Sequence, residues 1–316
     1  MSYEQLAQHA AEIERTAIVK SMERRGFTQD SQGVWQAGSD VERARVAGEL
    51  TVSRFQGVSD MFTPFLNMPD PARFDPLLTH LGETLKILSS GNTEADPVYR
   101  AGVAANDDLL GMNTVGKALQ DWRGSAAAAF RQNFVEPFPA VTTNQFALVA
   151  TLRGAVDAEQ AMWKAARDSV DDIAHKAQVA LDAVNDCSTK EQTALLTVAA
   201  SAFAISAAVA TAGSATAISL TVVGATAQVA GAVPREDPEK VHFDGKTAEE
   251  IVNQVQGALN RLVAQLDAKE REIADAMSES TGYLAANRTK FVSARPSLAD
   301  ATAATITGPT GLGEAV

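Results

Sequence analysis

The chain has 316 residues, enough for one or two domains. Its net charge of -12 argues against a nucleic-acid surface, which needs clustered Lys and Arg, and against simple electrostatic docking on anionic lipid. A single cysteine, Cys187, excludes an intrachain disulfide and a Cys-based zinc site.

The N-terminal sequence MSYEQLAQHAAEIER is polar. It has no basic region followed by an apolar core, so no general secretory signal is expected. Leu6, Ala10, Ile13 and Ala17 recur at helical spacing and predict a helix over residues 2–25, with Gly26 as its stop. Residues 27–38 read as a polar loop carrying Trp35. Ser39 with Glu42 forms a capping box that opens a second helix, to about Phe65. Pro64, Pro69, Pro71 and Pro76 then break the chain, since each removes a backbone donor. Further helices are predicted over residues 76–88 and 98–121, with Ser89 to Pro97 as the loop between them.

From Val141 to Asp186 the pattern is regular. Leu152, Val156, Glu159, Trp163, Ala166, Val170, Ile173, Ala177, Ala180 and Val184 alternate by four and three. That is a heptad seam and predicts one long helix. Thr247 with Glu250 makes another capping box. The helix it opens carries Ile251, Val255, Ala258, Leu262, Ile273, Met277 and Leu284 on one face. It is expected to run antiparallel to the first long helix. The final twenty or so residues are small and Gly-rich and read as a flexible tail.

Between the long helices, residues 192–234 contain no Asp, Glu, Lys, Arg or His. Such a stretch is about twice the ~20 residues that span a bilayer as a helix. Its first half is helical in character. Its second half is richer in β-branched residues and reads as a looser helix or a β-tongue. Most of it is Ala, Ser, Thr and Gly, so insertion would be marginal, because strong insertion comes from Leu, Ile, Phe and Val. Membrane or subunit contact is expected at Leu195, Leu196, Phe203, Ile205, Gly213, Ile218, Leu220, Val222, Val223, Gly224 and Gly231. A buried hairpin in a soluble bundle is the alternative.

Trp122-Arg123-Gly124 lies between two helical stretches and is followed by SAAAAFRQNF. A glycine there permits φ > 0, and a Trp beside it can pin a turn. The motif, with Phe130 and Phe134, resembles the W-x-G turn of the helical-hairpin proteins exported by type VII (ESX) secretion systems of actinobacteria. The chain's length and proline layout resemble the longer, PE–PPE-like substrates. The resemblance covers about residues 96–186. It implies export without a signal peptide after a cytoplasmic stage, and partners among helical proteins, a second copy or the secretion machinery. The family's Tyr-x-x-x-Asp/Glu export motif does not occur; its nearest counterpart is Trp163 with Asp168, and Trp163 also fits core packing.

No phosphate-binding glycine loop, GxSxG or HExxH occurs. The four histidines (His9, His80, His175, His242) are scattered. No enzyme, cofactor or metal site is expected. The expected fold is all-α: an elongated helical bundle with long antiparallel helices and an Ala/Gly-rich apolar hairpin. It divides into an N-terminal region (1–95), the W-x-G hairpin (96–190), the uncharged hairpin (191–235), a C-terminal long helix (236–295) and the tail (296–316). Three functions fit this reading: a type VII substrate or associate, a membrane-active pore-forming protein, and a cytoplasmic or phage-type scaffold.

Overall fold

The computed structural model describes residues 2–30, 33–36, 41–91, 95–96, 98, 101–118, 121–185, 191–198, 204–205, 222–223, 238–293 and 302. The fold is all-α in class, and the strands among the described residues form only two-stranded ladders. A 3-10 turn (Tyr3–Gln5) leads into α1 (Leu6–Arg24). Gly26 ends it at φ +83°, with its N–H on Glu23 O at 2.9 Å and the Phe27 N–H on Met22 O at 3.2 Å. That double bond is a Schellman stop, and Phe27 packs on Met22 as the motif favours.

β1 (Thr28–Gln29) pairs with β2 (Trp35–Gln36). α2 (Val41–Phe55) is shorter than the sequence suggests, because its continuation is a 3-10 run (Ser59–Phe65) containing Pro64. Ser39, the expected cap, lies outside the described residues. On α2 the hydrogen bond from Arg45 to Glu42, and the charge of that guanidinium, hold the Glu42 carboxyl below its ordinary range. α3 (Asp75–Leu88) takes Pro76 in its first turn, where no donor is lost.

The helix predicted over 98–121 starts late. β3 (Ala95–Asp96) pairs with β4 (Ala101–Gly102), and α4 spans only Asp107–Ala118. Asn106 is the reason. Its Oδ1 accepts from Asp108 N–H at 3.0 Å and its Nδ2 donates to Ile87 O at 2.7 Å, so it caps the helix there. α5 (Ser125–Phe130) runs into a π turn (Arg131–Val135) and then α6 (Phe138–Asp182). After β5 (Gln192–Leu196), β6 (Ala204–Ile205), β7 (Val222–Val223) and β8 (Glu239–Phe243) comes α7 (Ala248–Ala286). Its capping contact is present, with Glu250 N–H on Thr247 Oγ1 at 3.1 Å, and the Glu250 carboxylate accepts from Lys246 N–H at 2.6 Å.

The chain forms two compact units, each assembled from three stretches. The first comprises Met1–Arg73, Gln160–Ala202 and Pro234–Arg271. Its core gathers Leu6 and Ile13 of α1, Phe55 and Phe62, Ile173 and Leu181 of α6, and Ile251, Val255 and Leu262 of α7. From Ala166 to Val184 the α6 seam is buried as its spacing predicts. Polar contacts fix α1 parallel to α6. His9 faces Asp171 at 3.9 Å, Gln178 donates to Thr16 at 3.0 Å and Asn185 donates to Lys20 O at 3.0 Å. At one end the Tyr3 hydroxyl donates to Phe65 O at 2.5 Å, and Arg167 sits 4.3 Å over its ring.

The second unit comprises Phe74–Glu159, Phe203–Val233 and Glu272–Val316. Here Leu85, Phe146 and Ala150 form a small cluster with Leu88, Val103 and Val149. The α6 seam departs from its predicted register. Leu152 is exposed, while Thr151, Ala155 and Ala158 are buried. Arg153 accounts for the rotation: its guanidinium is 2% exposed, meets Asp96 at 2.9 Å and donates to Leu78 O. At the start of α6, Asn144 and Gln145 each donate at 2.8 Å to the carbonyls of Lys290 and Phe291, just beyond α7. The two long helices therefore run antiparallel, as expected.

Candidate functional site

The uncharged segment is entered and left through a β ladder. β5 and β8 are antiparallel, in the register Gln192↔Phe243 to Leu196↔Glu239. Further in, Ala204↔Val223 and Ile205↔Val222 pair in the same antiparallel sense. Leu195, Leu196 and Ile205 were expected on a helix and stand in strand; Val222 and Val223, from the half that reads as a looser helix or a β-tongue, stand in strand too. Thr193, Thr197 and the β-branched Val241 suit a pleated surface, and the pairing supplies both flanks with ladder partners that a helix would not. Phe203, Gly213, Ile218, Leu220, Gly224 and Gly231 lie outside the described residues, as does the predicted tail apart from Thr302.

One face of the β5–β8 ladder is rooted in the first unit's core. Ala194, Leu196, Val241 and Phe243 are at most 4% exposed. The other face carries Thr193, Leu195, Lys240 and His242, with Leu195 39% exposed. The two outer edges differ. On β5, the Leu195 N–H donates to Asp172 Oδ2 at 3.1 Å and the Thr197 N–H to Ser169 Oγ at 3.2 Å, so α6 side chains cover that edge. On β8, a cleft of about 430 Å³ runs along the edge, lined by Lys240, His242 and, on α7, Asn253, Gly257 and Arg261. Arg261 lies 3.4 Å from Glu239, and His242 lies 2.5 Å from Glu191.

The W-R-G turn falls just before α5. Gly124 takes φ +104° and ψ 176°, a backbone that side chains resist, and its carbonyl accepts from Ala128 N–H at 3.0 Å. Trp122 is not buried by the turn; it is 41% exposed. It starts a row of rings instead, with Phe130 at 5.6 Å, Phe134 5.2 Å beyond and Phe138 a further 5.9 Å. A Gly124→Ala change is expected to destabilise this region by about 1 kcal/mol or more, because the strained φ persists without glycine's freedom. Amide exchange of α4 and α5 is the measurement.

The other sequence candidates separate. Trp163 packs against the first unit's core, while Asp168 is exposed and pairs with Lys164 at 2.6 Å. The two residues do not converge. Among the described residues no group of three His, Cys, Asp or Glu side chains could hold a metal ion. Sequence reasoning missed Ser169 and Asp172 as strand-edge partners. Only their one-turn spacing on α6 could have hinted at it, and that spacing is common. No family model, curated protein or solved structure matches the chain.

Proposed function

We propose that this chain is a non-enzymatic, membrane-active helical protein that inserts its uncharged segment into a lipid bilayer. One observation carries the reading: the β5–β8 ladder brings both ends of the segment together and roots them in a helical core. Inside lipid every backbone polar group needs a partner within the protein. Two strands already in antiparallel register meet that demand along their shared side, and their outer edges would need further strands to close the sheet. About 40 residues lie between the ladder's ends, more than the two spans of ~9–11 residues that a transmembrane hairpin needs. Charges stand on both sides of the segment, Lys190 and Glu191 before it and Arg235, Glu236 and Asp237 after it, suited to the wet face of the bilayer. Among the described residues no helix is long and apolar enough to cross a membrane.

The test is dye release from liposomes by the full chain and by a chain lacking residues 199–234, which keeps both ladder strands. Release by the full chain only is the expected result. Equal release by both, or none by the full chain at acidic and neutral pH, removes the proposal.

The type VII reading keeps one supporting observation, the positive φ of Gly124 between α4 and α5. On that reading the same protein reaches the membrane of a target cell by export. Its appearance in the culture medium of a host with a type VII system, and its retention in one without, is the expected outcome. Equal retention in both discards the export step and leaves the membrane reading intact.

A further inference from the structure

Backbone bonding in an antiparallel pair alternates, so residues that do not bond across the ladder point their N–H and C=O outward. The Leu195 N–H is spent on Asp172 and the Thr197 N–H on Ser169, so Leu195 belongs to the outward set on β5. Its partner is Lys240, and the next outward pair is Thr193 with His242. The backbone groups of Lys240 and His242 therefore face away from β5, along the outer edge of β8. Among the described residues the sheet has two strands, and none of them bonds to those groups. The cleft of about 430 Å³ lies beside them, and Gly257 leaves its α7 wall low. An open edge over a groove is a seat for one more strand.

The chemistry of the two strands names the occupant. A second β8 laid antiparallel on the first, with Lys240 opposite His242 of the other copy, would bring the two Lys240 ammonium groups into diagonal reach of each other, like charge beside like. β5 reads QTALL and carries no charge. Laid on β8, it puts Thr and Leu beside Lys240 and His242 and opposes no like charges. We propose that the outer edge of β8 receives β5 of a second copy, so that copies add head to tail into one continuous antiparallel sheet. Such a contact is heterologous, and a rotation that closes makes a ring. In the single chain the donor edge is withheld by Ser169 and Asp172, so α6 acts as the latch on assembly. The inference deepens the membrane reading and takes its purpose from it, but its test needs no lipid.

The test compares the solution mass of full-length variants by light scattering. Releasing β5 with Ser169→Ala and Asp172→Ala is expected to shift the chain from monomer to at least a dimer's mass. Adding Lys240→Pro should return it to monomer, since proline deletes an outward donor and leaves the ladder's own bonds in place. Assembly that persists with Lys240→Pro overturns the proposal. So does a released variant that stays monomeric while its circular dichroism matches the parent's. Should the double release not fold, Asp172→Ala alone carries the same comparison. If assembly fails while the parent still releases dye, the edge contact is wrong and the membrane reading stands. If assembly occurs without dye release, the reverse holds.

Discussion

Arg153→Met is expected to cost the second unit about 3–5 kcal/mol, the usual penalty for removing one partner of a buried ion pair. The loss has three parts. Asp96, 12% exposed at its side chain, is left holding a charge without its guanidinium. The Leu78 carbonyl loses a donor at the end of the first turns of α3. The space beside Gly82, where the guanidinium lies close enough to meet an added Cβ at 3.0 Å, becomes a void that Met fills poorly. Chemical denaturation followed by amide exchange in α3 and β3 measures the effect. A second change, Asp96→Leu on the Met background, should recover part of the loss, because two apolar groups tolerate burial that a carboxylate without its counter-charge does not. A loss below ~1 kcal/mol would mean that water reaches Asp96 and that the pair does little.

Phe243→Ala carries the second large expectation, a loss of about 3–5 kcal/mol from the first unit. The side chain is 1% exposed and enters the same core as Ile251, Val255 and Leu262. It is also the residue at which β8 is rooted, opposite Gln192 at the outer end of the ladder. Amide exchange should therefore quicken in β5 and β8 together, and more than in α1. Uniform quickening through the unit would show that the ladder opens only when the whole unit does.

The helices were legible because their signals are local. Gly26, Pro76 and Thr247 sit at helix ends for reasons that a few neighbouring residues decide. The seam of α6 was readable from Ala166 to Val184, where Ala, Val and Ile alternate without competition. It was misplaced between Leu152 and Trp163, because a buried arginine turned the helix toward Asp96, 57 residues earlier, and no local pattern records such a partner. The strands were harder. LLTVAA has helical composition, and what makes Leu195 and Leu196 strand is the register with Glu239 and Lys240 on the far side of the uncharged segment. The W-R-G residues stand between α4 and α5, and the tryptophan expected to pin the turn is 41% exposed. The bond that covers the β5 edge comes from Asp172, an acid whose sequence context suggests only a solvated helix face.

The parallel packing of α1 on α6 has a consequence for how the protein is made. Leu6, Ile13 and Ala17 are among the first apolar side chains to leave the ribosome, yet their partners on α6 follow more than 150 residues later and those on α7 later still. At ~5–20 residues per second, α1 waits on the order of ten seconds or longer for its core to close. The uncharged segment is synthesised within that wait, before α7 exists to complete the unit that anchors it. The nascent chain thus holds its uncharged stretch and the side of its first helix that faces α6 uncovered together, and its yield in a cell should depend on chaperone supply more than its final stability suggests.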